Sequence, residues 1–277
     1  MALDRYGDLV ASLRSGDGQF AATTVGGGLN NRVFRVSGDL GEVCCKLYRD
    51  DDRARDEREW RALRLLAGSG IAPEPLHHEP GAIVMSWVEG RAFAPADLAA
   101  LHRVLAAVYG LRAPDDAPEV VGSPSVTVSR VRKMCAAAPD APAVVTARRW
   151  LATGELDWLA GLQLDVFGRG DPNIRNILFT KGGVVLVDWE YSGRTNRAFE
   201  LADLVEHIES RCVSDAAWDD FVAGFALSSL EQRAFLSARR LLAIFWLCLL
   251  QPGRKGSDVN PPEARLQQER RVVQLLD

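Results

Sequence analysis

The stretch from Gly168 to Trp189, GRGDPNIRNILFTKGGVVLVDW, constrains the fold more than any other part of this 277-residue chain. Ile177-Leu178-Phe179 and Val184 to Val187 are short apolar runs rich in strand formers. Lys181-Gly182-Gly183 between them supplies a turn, so the pair predicts a β-hairpin. Asn176 and Asp188 each lie six residues from Gly182, on opposite sides. A hairpin centred there makes them cross-strand neighbours roughly 5 Å apart. At that separation an amide oxygen and a carboxylate can share a hard cation such as Mg²⁺. Asp171 lies upstream in an irregular segment, with Pro172 blocking helix continuation, and offers a carboxylate that need not bind metal. Two metal-facing oxygen donors beside a third, separate carboxylate suit phosphoryl transfer, which needs Mg²⁺ on the phosphates and a group that orients the attacking hydroxyl.

The N-terminal part supplies further candidates. Leu3, Tyr6, Leu9, Val10 and Leu13 fall at helical spacing. Gly26-Gly27-Gly28-Leu29-Asn30-Asn31 then separates two strand-like runs, and such a turn lets backbone N–H groups approach a phosphate. The full GxGxxG pattern is absent, because Asn31 takes the third place, and no Walker A sequence occurs; alone, the three glycines read equally as a plain hairpin turn. In the next strand, Val43, Cys45 and Leu47 point one way and Cys44, Lys46 and Tyr48 the other. Lys46 is costly there unless it has partners, and by itself it reads as well as an edge-strand lysine facing water. Glu59, Ala62, Leu63 and Leu66 share one face of a predicted helix, so Glu59 faces inward and needs a cation. Glu57 falls on the Arg61/Arg64 face and reads as a surface salt bridge.

Composition excludes several classes. A net charge of −4 argues against a general nucleic-acid or anionic-membrane binder. Five cysteines without a CxxC pair fit reduced thiols in a cytoplasmic protein, not a disulfide framework or a zinc site. The N-terminus has no apolar core of signal length, and Leu241 to Leu250 is too short to span a bilayer and reads as a buried helix.

Asp171-Pro-Asn-Ile-Arg-Asn176, followed by Val187-Asp188-Trp189-Glu190, resembles the catalytic and metal loops of the aminoglycoside phosphotransferase and choline kinase family, relatives of the protein kinases. The family pattern is His-Gly-Asp, four residues, Asn, a hairpin, then Ile/Val-Asp-Trp/Phe. This chain departs from it at Arg169, where the family His mainly scaffolds the loop, so the departure touches loop packing more than chemistry. The resemblance runs in motif order from about Gly26 to Asp203 and fades beyond. It implies an α+β, two-lobed protein-kinase-like fold: a small antiparallel-sheet lobe over residues 1–87 that binds nucleotide, and a larger, mostly helical lobe over 88–277 that carries catalysis and the substrate site. It further implies ATP and Mg²⁺ as cofactors, Asp171 as the catalytic carboxylate, and Asn176 and Asp188 as metal ligands. Lys46, fixed by Glu59, would bind phosphates beneath the loop of Gly27, Gly28 and Asn30. Met85 to Val88 would line the adenine site, with backbone groups of Ser86, Trp87 and Val88 pairing with its edge, and Asp203 would hold the catalytic loop. The short interval between Asp188 and Asp203 leaves no room for a protein-kinase activation segment, which favours a small acceptor.

The acceptor expectation rests on the resemblance, since both family branches use amine-bearing substrates, and on the acids after Asp188, among them Glu190, Glu200, Glu206, Asp215 and Asp219, with Trp218 and other aromatic residues interleaved. Carboxylates and aromatic faces attract ammonium groups, although the same acids read as a solvated helix face and the tryptophans as core. The sequence thus points to an ATP-dependent kinase of a small, cationic hydroxyl compound, aminoglycoside-like or another antibiotic, with Glu190, Glu200 and Trp218 at the acceptor. The alternatives are a choline- or ethanolamine-type kinase and a nucleotide-binding pseudokinase.

Overall fold

The computed structural model describes residues 2–25, 31–39, 41–49 and 53–277. In chain order these form α1 (Ala2–Ser15), β1 (Ala22–Thr24), β2 (Arg32–Gly38), β3 (Gly41–Leu47), α2 (Arg53–Leu66), β4 (Pro75–Glu79), β5 (Ala82–Ser86) and β6 (Arg91–Ala92). Then come α3 (Leu98–Tyr109), α4 (Pro124–Ala136), α5 (Pro142–Leu151), α6 (Glu155–Ala160), β7 (Val166–Gly168), β8 (Ile177–Thr180) and β9 (Gly183–Leu186). The chain ends with β10 (Gly193–Thr195), α7 (Arg197–Glu206), α8 (Asp215–Ala223), α9 (Ser229–Leu249), α10 (Lys255–Val259) and α11 (Pro262–Leu276). Two units result: residues 1–93 with 175–192, and residues 94–174 with 193–277.

The first unit is built on an antiparallel sheet of order β1-β2-β3-β5-β4. Strand alternation in β3 sets its two faces. Val43, Cys45 and Leu47 enter a core with Leu9 and Val10 of α1 and Ala82 and Val84 of β5, while Lys46 and Tyr48 are buried elsewhere. Helix α2 buries Ala62, Leu63 and Leu66 and stops where Gly68 adopts φ +73°, which costs a residue without Cβ nothing. Glu57 and Arg61 form the exposed i,i+4 pair expected from their spacing, at 3.4 Å. The hairpin β8–β9 belongs to this unit because β6 pairs with β8 and Leu186 N donates to Ile71 O at 2.7 Å. The division drawn from sequence at residue 87 left both β6 and that hairpin with the second lobe; the Leu186–Ile71 bond ties them to the first unit.

The second unit is mostly helical. Its long helix α9 begins at a capping box of Ser228 and Glu231 and buries Leu241, Leu242, Ile244 and Leu247. Glu206, at the end of α7, accepts from Arg239 of α9 at 2.7 Å and from Arg271 of α11 at 2.8 Å, a charge-assisted network that ties three helices. Residues 152–154 separate α5 from α6, and the segment from Pro252 to Pro262 contains α10. No helix of the described residues is long and apolar enough to cross a membrane, and all five cysteines are free thiols.

Candidate functional site

In the first unit the chemistry gathers on Lys46. Its ammonium lies 2.7 Å from Glu59, 2.6 Å from Asp188 and 3.0 Å from Glu190. Burial alone would pull the lysine pKa down. The Glu59 carboxylate, with Asp188 and Glu190 adding to it, reverses this and holds Lys46 well above its ordinary value, charged at any neutral pH. Glu59 is itself saturated: besides Lys46 it accepts from the Tyr48 hydroxyl and, through its other oxygen, from Trp189 N at 3.1 Å. Glu190 accepts from Asn31 Nδ2 at 2.5 Å and lies 3.6 Å from Arg55. The three carboxylates each offer an oxygen within 4.8 Å of the others, and Asp188 alone of the three is partly exposed, at 34%.

The expected Lys46–Glu59 pair therefore forms. The expected face-to-face placement of Asn176 and Asp188 does not. The hairpin turns through Lys181-Gly182 alone, pairing Thr180 with Gly183 and Ile177 with Leu186, because the Thr180 hydroxyl accepts from Gly182 N and donates to Gly183 O. That register carries Asn176 opposite Val187, whose N–H donates to Asn176 O at 2.9 Å. Asp188 sits one residue further on, where a left-handed backbone at φ +64° ends strand alternation.

The adenine-edge expectation is narrowed. Ser86 N donates to Glu74 O at 2.9 Å and Trp87 N to Glu42 O at 3.1 Å, so those two donors are spent within the unit. Gly27, Gly28 and Asn30 lie outside the described residues; Asn31, next to them, reaches Glu190.

The second unit holds Asp171. Its Oδ1 accepts from Asn173 N at 3.0 Å, an Asx turn that shapes the loop. Arg169 is 5% exposed and donates to Asn173 O at 3.3 Å, so the residue that departs from the family pattern packs under the loop it must support. The loop enters through β7, where a Cβ at Gly168 would lie 2.4 Å from Thr195 and 2.6 Å from Glu200; only glycine lets strand and carboxylate approach so closely. Gly170 N donates to Glu200 Oε1 at 2.9 Å. Glu200, expected at an acceptor, thus holds the loop, the part assigned from sequence to Asp203.

Burial pushes the Glu200 carboxyl up to about 7, against the hydrogen bond from Gly170. Burial, with the neighbouring Glu200, pushes Asp203 up to about 8. Between the ordinary carboxylate range and those raised values, each group holds a proton in the folded chain that the unfolded chain has released. Their contribution to stability is whole below the ordinary carboxylate range and is lost as pH rises through about 7 and about 8. Asp203→Asn is expected to flatten the fall in stability across neutral pH, checked by urea unfolding as a function of pH.

Trp218, the third residue expected at an acceptor, is core. It is 2% exposed, donates from Nε1 to Ser210 O at 3.1 Å and packs edge-on to Phe221. Trp218→Ala is expected to cost about 3–5 kcal/mol of stability, read by denaturant unfolding. The acids that motivated a cationic acceptor are largely paired within the protein: Glu206 with Arg239 and Arg271, Asp215 with Arg271, Asp219 with Arg239, and Glu190 with Lys46. Glu190, expected at the acceptor, instead faces Lys46, and sequence reasoning missed Arg55 and Arg58. Arg55 and Arg58 precede Glu59 by four residues and one, and this spacing could have placed Arg55 on the inward face of α2.

A sequence model of the phosphotransferase enzyme family matches residues 21–239. No curated protein matches the sequence significantly. Among solved structures, a choline/ethanolamine kinase family protein from Mesorhizobium loti is 20% identical, with a TM-score of 0.69 over 100% of this chain and 95% of its own. Choline kinase LicA from Streptococcus pneumoniae is 16% identical, with a TM-score of 0.65 over 98% of this chain and 99% of its own. A thermostable mutant of the aminoglycoside phosphotransferase APH(4)-Ia, in a ternary complex with AMP-PNP and hygromycin B, is 12% identical, with a TM-score of 0.67 over 96% of this chain and 97% of its own. The fold is the protein-kinase-like α+β fold of these neighbours.

Proposed function

The chain belongs to the phosphotransferase enzyme family, and from that premise we propose that it transfers the γ-phosphoryl group of ATP to a hydroxyl of a small molecule. The observation that carries the reading is Lys46, buried and charged among Glu59, Asp188 and Glu190. A lysine so held is a fixed positive charge suited to nucleotide phosphates. Asp188 is the carboxylate open enough to give an oxygen to Mg²⁺ while Lys46 stays on Glu59, and Asn176 supplies a second oxygen donor. A hard cation favours such a set of oxygens, and when bound it would neutralise charge on the phosphates. Asp171 accepts or orients the proton of the acceptor hydroxyl. At the adenine edge, the spent donors of Ser86 and Trp87 leave the Val88 N–H and the neighbouring carbonyls to pair with the base.

An amine-bearing acceptor remains the favoured class. Its support comes from the choline, ethanolamine and aminoglycoside enzymes that share the fold, since the acids counted from the sequence are engaged elsewhere. A pseudokinase is disfavoured because Lys46, Asp171, Asn176 and Asp188 are all present. The test is ATP consumption with a panel of aminoglycosides, choline-like amines and neutral sugar or nucleoside alcohols. Turnover confined to neutral acceptors would defeat the amine preference, and none with any acceptor would defeat the enzyme reading.

A further inference from the structure

Asp188 carries a left-handed backbone, φ +64°, a conformation that costs a non-glycine residue energy and persists only where its surroundings impose it. The surroundings are one face of α2. Glu59 accepts from Trp189 N at 3.1 Å. Arg55 donates to the Tyr191 hydroxyl at 3.1 Å, covers the Tyr191 ring at 4.9 Å and lies 3.6 Å from Glu190. Arg58 donates to Ser192 O at 2.6 Å. Arg55, Arg58 and Glu59 stand at i, i+3 and i+4, so three side chains of one helix face grip all four residues that follow Asp188. Helix α2 is fastened to the sheet in its turn: Asp56 accepts from Gly81 N at 2.7 Å and lies 3.3 Å from His78, and Trp60 stacks on His78. The helix is a strut between the sheet that carries Lys46 and the segment that carries Asp188.

We propose that Arg58, with Arg55 beside it, is a positioning residue that imposes the left-handed backbone at Asp188 and so sets the affinity of the site for Mg²⁺. The proposal rests on the reading of Asp188 as a metal ligand. Arg58 touches neither phosphate nor acceptor in this account; it acts through the carbonyl of Ser192, a charge-assisted bond of the stronger kind.

Two measurements on the full chain test it. The first is hydrogen exchange without ligand: Arg58→Ala is expected to speed exchange over residues 189–192 while β3 and β5 keep their protection. The second is calorimetry of ATP binding with Mg²⁺ and with EDTA. Arg58→Ala is expected to weaken binding with Mg²⁺ about tenfold, the loss of one charge-assisted hydrogen bond, and to leave binding in EDTA unchanged. Arg58→Lys, which keeps one donor, is expected to recover most of both. Should Arg58→Ala fail to fold, Arg55→Ala carries the same expectations. Wild-type exchange and a wild-type Mg²⁺ effect in the variant overturn the proposal alone. A wild-type chain that binds ATP equally with Mg²⁺ and with EDTA overturns the metal reading of Asp188, and the proposal with it.

Discussion

Asp171→Ala is expected to lower kcat by a factor on the order of 10²–10⁴, the range for losing a positioned acid–base group, while ATP affinity stays close to that of the wild type. The two effects separate because the Asp171 carboxylate is shaped by its own Asx turn to Asn173, while the phosphate and metal groups assigned here, Lys46 and Asp188, are held together by other partners. The substitution removes the Asx-turn bond from Asn173 N but leaves the loop its other ties, Gly170 to Glu200 and Arg169 to Asn173 O. Steady-state kinetics with the best acceptor of the panel, beside calorimetry of ATP, checks both halves. A variant with near wild-type kcat removes Asp171 from the chemistry.

Lys46→Met is expected to be the most damaging substitution in the first unit, with turnover lost and stability lowered by about 3–5 kcal/mol. The reason lies in what remains. Glu59 and Glu190 are 1% and 3% exposed; methionine leaves Glu59 buried without its ammonium partner and Glu190 with Arg55 at 3.6 Å. To stay folded, Glu59 must take up a proton, a direction in which burial already pushes it. A carboxyl whose folded pKa is raised binds a proton that the unfolded chain releases, so the variant loses further stability as pH rises above the ordinary carboxylate range. Lys46→Met with Glu59→Gln is expected to recover part of the stability and none of the turnover, the signature of coupled neighbours. Denaturant unfolding at two pH values measures this, and a single Lys46→Met variant as stable as the wild type contradicts the account of the cluster.

How much was legible in the sequence depended on the distance over which each feature is decided. Lys46 and Glu59 were legible because strand alternation and helix periodicity fix side-chain faces locally, and the two faces happened to meet. The β-hairpin was legible too, but not its register: Lys181-Gly182-Gly183 permits a two- or three-residue turn, and the Thr180 hydroxyl decides for two. One residue of slip separated Asn176 from the position opposite Asp188. Glu200 took the loop-holding part read for Asp203 for a similar reason. Both sit on α7, and only the close approach permitted by Gly168 determines which carboxylate meets the loop. The acids from Glu206 to Asp219 read as open charge because their partners, Arg239 and Arg271, come from helices far along the chain. Spacing from Glu59 could have turned Arg55 inward, but nothing local announces which distant segment will dock on Arg55 and Arg58.

The most direct test of the central claim is detection of the phosphorylated acceptor itself. The chain is incubated with ATP and the acceptor panel, with Mg²⁺ or with EDTA, and products are read by mass spectrometry and phosphorus NMR. A phosphate ester is expected on an acceptor hydroxyl, formed with Mg²⁺, absent in EDTA and all but lost in Asp171→Ala. Ester formation that persists in EDTA, or that is undiminished in Asp171→Ala, would contradict that claim, as would the absence of any ester from a chain that binds ATP with Mg²⁺.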